Sequence, residues 1–249
     1  GEFYEVAGPH LSEPSPQRTP LLFQAGSSDR GRDFAAKHAE CVFTFASLRS
    51  LRATTSILED VRARAVRQGR QPEDILFFQG VTPVVGGTEA EAKLKEAEYL
   101  EKSSTEGGLA QMSGSVGVDL GAIDLDTPLA SLETDAIQGV VKGLIDSAPN
   151  KSWTFRDLAR SMASGRFLTG TPEQIADKLE SWHEAGVDGF NVVYAVTPGT
   201  FADFIEGVVP VLRRRGLVQS AYAPGTLREK LFGQAKLPDC PPAAAYRHR

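Results

Sequence analysis

Twelve residues, Pro20-Leu21-Leu22-Phe23-Gln24-Ala25-Gly26-Ser27-Ser28-Asp29-Arg30-Gly31, constrain the fold of this chain more than any other stretch. Large apolar side chains come first, then a turn of small residues, then a helical pattern that opens near Asp29. An apolar run bounded by Pro and Gly reads as a strand buried on both faces, as in parallel sheets. Ser28 or Asp29 caps the helix that follows, expected over 30–40 with Phe34, Ala35 and His38 on one face. The Gly-Ser-Ser turn itself has two readings. It is an ordinary strand-to-helix turn with a capping serine, or it is an anion site, because backbone N–H groups, two hydroxyls and the positive end of a helix dipole converge there.

The same strand–turn–helix grammar recurs. Residues 42–45 and 75–78 are short apolar runs rich in β-branched and aromatic side chains, and 190–194 is another, so four buried strands are expected at 21–24, 42–45, 75–78 and 190–194. Between them the 3.6-residue period predicts helices over 47–68, 89–102, 154–164, 172–185 and 201–215. Thr88 with Glu91, and Thr171 with Pro172 and Gln174, carry the start signals of capping boxes. Residues 103–150, rich in Gly, Ser and Asp, read as a long excursion with one short helix near 135–145. The tail from Gln219 reads as mostly irregular. Strand–helix alternation with short turns means a parallel sheet. Four units are too few to close a (β/α)8 barrel, so the fold class is α/β, a partial barrel or a small open sheet.

Composition narrows the function classes. The 249 residues are 41% hydrophobic with a net charge of -5, which argues against a nucleic-acid surface. The one dense basic run, Arg213-Arg214-Arg215, stands where a helix ends before Gly216 and complements its dipole. No stretch approaches a membrane span. The two cysteines, Cys41 and Cys240, show no pairing pattern, so a reducing, cytoplasmic setting is expected. The four histidines show no metal-binding spacing, and Asp119, Asp124 and Asp126 lack the Gly and Glu of a calcium loop.

A family resemblance is carried by several blocks in fixed order. Gln24-Ala25-Gly26-Ser27-Ser28 is followed by Gly31, Ala35-Ala36, Ala39 and Val42-Phe43. Then come Gly86-Gly87-Thr88-Glu89-Ala90-Glu91-Ala92, Leu125-Asp126-Thr127-Pro128-Leu129, Gly170-Thr171-Pro172-Glu173-Gln174, Gly186-Val187-Asp188-Gly189-Phe190-Asn191 and Thr226-Leu227-Arg228. This set resembles the bacterial-luciferase-like flavin monooxygenases, in the branch of nitrilotriacetate monooxygenase, dibenzothiophene-sulfone monooxygenase and pristinamycin synthase. The resemblance runs over 1–233, with 103–150 as an insertion before the last strand and 234–249 as an irregular tail.

The resemblance implies an FMNH2-dependent monooxygenase, the oxygenase component of a two-component system. It takes reduced FMN from an NAD(P)H:flavin reductase and acts on a small organic substrate. It places Ala25, Gly26, Ser27 and Ser28 at the FMN phosphate. The blocks correspond to strands five to eight of the family's barrel, so a phosphate grip without a complete active site is expected. No catalytic residue is assigned. Gln79 and Thr82 face flavin or substrate, or serve strand-end turn chemistry. Asn191 is expected as a satisfied core amide and His38 as a mid-helix residue, either surface or helix-packing. A second expectation is non-catalytic: a half-barrel that associates with a partner chain or with itself through its exposed strand edges.

Overall fold

Among the described residues five parallel strands form one sheet, three of them paired to a single long strand. The structure, a computed structural model, describes residues 2, 3, 5, 7, 11–26, 28–44, 51–116, 119–131, 151–158 and 167–246. Strand β1 (Phe23–Ala25) leads to helix α1 (Asp29–His38), β2 (Cys41–Thr44) to α2 (Leu51–Arg67), and β3 (Leu76–Val85) to α3 (Glu89–Glu101) and α4 (Thr105–Val116). Then follow β4 (Phe167–Gly170), α5 (Pro172–Glu184) and β5 (Gly189–Val192). A continuous helix, α6, runs through Gly199–Asp203, Phe204–Val208 and Val209–Arg214, and α7 is Leu227–Phe232.

Strand β3 is long because it changes neighbours along its length. Leu76 to Gln79 pair with β2, Phe78 to Val81 with β5, and Thr82 to Val85 with β4, all in parallel. Its pairing explains how Pro83 sits inside a central strand. Proline has no N–H to donate, and at Pro83 the pairings with β2 and β5 have already ended, leaving only that with β4. The expected strand at 75–78 therefore continues through residues read as its turn.

One face of the sheet is closed by helices. Val42, Phe77 and Val81 pack there with Leu58 and Val61 of α2, Ile175, Leu179 and Trp182 of α5, and Val208 and Val211 of α6, all buried. Register places Phe43, Phe78 and Gly189 side by side on the opposite face, and strand alternation adds Phe23 and Asn191 to it. Phe23 and Phe78 rings lie 5.3 Å apart there, and Phe23 stays 49% exposed.

Several expectations are corrected. The first strand is not buried on both faces: it is a three-residue edge, Phe23–Ala25, paired among the described residues only with β2. A fifth strand, Phe167–Gly170, was not expected; it is too short to show an alternating pattern of its own. Residues 105–116 are helical despite Gly107, Gly108 and Gly114. The helix expected over 154–164 begins as read, with Thr154 and Asp157 exchanging capping hydrogen bonds; beyond 158 it lies outside the described residues, as does the helix expected near 135–145. The predicted helix over 201–215 starts at Gly199 and is widened at Phe204–Val208, where the Val209 N–H donates to Phe204 O five residues back. Pro210 follows at once and offers no N–H to Glu206, which accounts for the wider turn.

Candidate functional site

In a parallel βα sheet the turns after the strands gather at one face, and that face carries the chemistry of such folds. Here it holds the turn after β1, the ends of β2 and β3, and the turn after β5.

The turn after β1 is built around two glycines. Gly26 adopts φ +146°, which favours glycine. A Cβ on Gly31 would stand 3.2 Å from both Gly26 O and Ser28 Oγ, so the bare residue lets the first turn of α1 close onto the turn's backbone. Ser28 is the N-cap of α1, its Oγ accepting from Gly31 N at 3.2 Å. The capping reading thus holds, and the hydroxyl hydrogen remains for a second partner. Ala25 and Gly26 are exposed beside it; Ser27 lies outside the described residues. Gln24, part of the family block but given no role from sequence, bends its amide to donate to Ala25 O at 3.1 Å.

The electrostatics of the turn centre on Arg64 of α2. Its guanidinium reaches Asp29 at 2.9 Å, Asp33 at 2.7 Å and Asp60 at 3.0 Å, so the carboxylate in the first turn of α1 is met by a cation. Hydrogen bonds from Arg64 and Arg32 hold the Asp60 carboxyl below its ordinary range, and the Asp60 and Asp33 carboxylates raise the Arg64 pKa.

The other expected site residues divide. Gln79 does not face the mouth: it is 1% exposed, on the helix side of the sheet, and Thr44 Oγ1 donates to its Oε1 at 2.8 Å. Thr82 is buried as well. Asn191 is corrected from core amide to an exposed side chain on the open face of β5. Tyr194, just past β5, is 58% exposed and tilts against Phe201, centroids 5.9 Å apart. Thr200 secures this segment, its Oγ1 accepting from Ala195 N and Val196 N at 3.1 Å each. His38 is the last residue of α1, not mid-helix, stacked on Phe34; burial, then Lys37 and Arg70, lowers its pKa. Burial first, then Glu40, pushes the Cys41 thiol up to about 12, so it is no nucleophile at neutral pH.

The opposite, N-terminal end of the sheet contains what sequence reasoning missed. Arg228 is wholly buried, and its Nε and Nη2 donate to the two oxygens of Glu40 at 2.7 and 2.9 Å. Thr226-Leu227-Arg228 is one of the blocks that carry the family resemblance, but the burial of Arg228 depends on a partner 188 positions away and is invisible locally.

A parallel sheet of βα units, with a glycine–serine turn opening a helix at the strand ends, defines a protein of the parallel α/β class. Comparison then gives the family: the profile of luciferase-like monooxygenases matches residues 1–189, and the chain belongs to that family. It is 42% identical over 253 residues to dimethyl-sulfide monooxygenase of Hyphomicrobium sulfonivorans, covering 99% of this chain and 52% of the relative. It is also 42% identical over 251 residues to long-chain alkane monooxygenase of Geobacillus thermodenitrificans, covering 100% and 53%. The crystal structure of riboflavin lyase RcaE, with modified FMN and riboflavin, superposes with a TM-score of 0.83 at 35% identity, over 100% of this chain and 56% of that one. The chain spans about half the length of the curated relatives it matches.

Proposed function

We propose that these residues hold the FMN phosphate and one wall of the pocket in an FMNH2-dependent monooxygenase, the oxygenase component of a two-component system. The observation that carries the reading is the turn after β1. Gly26 at positive φ, the close seat of Gly31, and the capping Ser28 form an open cradle at the start of a ten-residue helix. Helix N-termini leave N–H groups without intrahelical partners and favour anions. The residues present fit a phosphate monoester: Ser28 keeps a hydroxyl donor, and Arg64 offsets the charge of Asp29.

Ala25, Gly26 and Ser28, with Ser27 between them, would hold the phosphate. When bound, reduced FMN supplies the electrons that activate O2 for transfer of one oxygen atom to a small organic substrate. The protein's part is to anchor the phosphate and orient the ring against the open sheet face with Phe43, Phe78 and Asn191. An NAD(P)H:flavin reductase supplies the reduced flavin, as befits a relative named nitrilotriacetate monooxygenase component A. In this reading β1, β2, β3 and β5 correspond to strands five to eight of a barrel within 1–233, with 103–150 as an insertion and 234–249 as a tail. The cytoplasm is the setting, in keeping with two free cysteines; among the described residues no helix is long and apolar enough to cross a membrane.

Titration of the 249-residue chain with FMN, followed by flavin fluorescence and calorimetry, tests this. Binding is expected, weakened about tenfold by Ser28→Ala through loss of one charge-assisted hydrogen bond. Absence of binding at millimolar FMN overturns the reading.

One observation favours a second reading. The half-exposed Phe23 on an edge strand fits association, with a partner chain or a second copy, through the open face of the sheet. Light scattering decides it: a monomer at all concentrations, with no added chain bound, rejects it.

A further inference from the structure

We propose that Arg228 is a positioning residue for the phosphate turn, acting through β1 from the opposite end of the strand. The inference rests on the assignment of that turn to the FMN phosphate.

Strand β1 has three residues and, among the described residues, one neighbouring strand, so its own ladder fixes it weakly. What fixes it lies before it. Arg228 Nη2 donates to Pro20 O at 2.9 Å and Nη1 to Gln17 O at 3.4 Å, while the Arg228 N–H donates to Gln17 Oε1 at 3.3 Å. Glu40, clamped by the same guanidinium, accepts from Leu22 N at 3.1 Å. Leu22 O in turn accepts from the N–H groups of Glu40 and Cys41, the latter the first residue of β2. One buried ion pair therefore holds the chain at residues 17, 20 and 22 and ties it to the start of β2. Three residues beyond Leu22 is Ala25, the first residue of the cradle.

A buried ion pair is weak evidence of stability, because desolvation offsets the attraction; its best-attested use is to fix register. That is its use here. A slip of one residue would turn every side chain of β1 to the other face and displace Gly26 from its seat on Gly31. The capping box of Thr226 and Glu229 presents Arg228 on the first turn of α7, and the buried Leu237 further along keeps the following segment docked. The C-terminal segment thus carries the cation that sets an N-terminal binding turn.

The test is the double variant Glu40→Gln/Arg228→Gln, which removes the pair without leaving a lone buried charge. Amide hydrogen exchange is read at 23–26 and at 77–81, alongside FMN titration. Expected are exchange at 23–26 faster by about a hundredfold, unchanged exchange at 77–81, and FMN binding weaker by about tenfold. Unchanged protection at 23–26 overturns the proposal. So does faster exchange there with unaltered FMN affinity, and so does faster exchange throughout, which marks a purely structural role. Arg228→Lys, which keeps the charge but not the fork that spans Glu40 and Pro20, gives the same pattern at lower amplitude and serves if the double variant does not fold. If the unaltered chain does not bind FMN, the assignment of the turn has failed, and exchange at 23–26 alone decides whether the pair fixes β1.

Discussion

The two ends of the sheet treat polar groups in opposite ways. At the N-terminal ends of the strands, charge is buried and bonded. Arg228 grips Glu40, and Arg70, also buried, donates to Ala36 O and Asp74 O at 2.9 Å; at the rim of this end the exposed Asp188 accepts from Phe77 N at 2.8 Å while Arg62 approaches it. At the C-terminal ends, Ala25, Gly26, Ser28, Asn191 and Tyr194 face outward. In folds of this class the first end carries stability and the second carries chemistry. The lesson is that a polar residue's role follows from which end it occupies more than from its type.

The largest expected effect tests the buried end. Arg228→Met leaves Glu40 as an unpaired buried carboxylate and should cost about 3–5 kcal/mol of unfolding free energy in urea denaturation. A loss under about 1 kcal/mol, the range of exposed pairs, would erase the contrast between the ends.

Next comes a substitution chosen to break the simple form of the contrast, because it lies at the C-terminal end and still costs stability. A Cβ on Gly86 would stand 2.4 Å from Ala92 N and 2.9 Å from Thr88 O. These are backbone atoms in the first turn of α3, so the helix must move. Gly86→Ala should cost about 2–3 kcal/mol by thermal or urea unfolding. A neutral result would mean that α3 is free to slide on β3.

How much of this was legible in the sequence follows the same divide. The capping boxes at Thr88 and Thr171 and the helix-side core of Ile175, Leu179 and Trp182 were read correctly, because capping and periodicity are local. The Ser28 cap was legible for the same reason. The Glu40–Arg228 pair was not, since it joins residues 188 positions apart and each looks like an ordinary polar surface residue. The extension of β3 was hidden because Gly80 and Pro83 spell a turn, and only the change of neighbours along the strand makes them tolerable. The burial of Gln79 was hidden too: its place opposite Thr44, 35 positions earlier, depends on the register between β2 and β3 and on which face the helices cover.

That Thr44–Gln79 bond gives a third, smaller test. It lies near the chemical end but on the helix side, with both residues buried. Thr44→Val leaves the Gln79 carbonyl without this donor and should cost about 1–3 kcal/mol. FMN affinity should stay unchanged, since the pair does not face the cradle. A fall in affinity without a fall in stability would place Gln79 in the site after all.

The smallest effect concerns pH and the far end of α1. Burial, with Lys37 and Arg70 adding to it, lowers the folded-state pKa of His38 below the ordinary histidine value of 6.5. Between those two values the unfolded chain binds the proton and the folded one does not, so stability rises with pH across that window. The contribution is fully present above pH 6.5 and is lost as pH falls below it towards the folded value. The melting temperature of the native chain should therefore drop on acidification from pH 7 by more than that of His38→Gln, with carboxylates such as Asp60 taking over only near pH 4 and below. Parallel curves for the two proteins would show that the stack of His38 on Phe34 is open to solvent, and that the buried character of the N-terminal end stops short of the last turn of the helix that begins at the cradle.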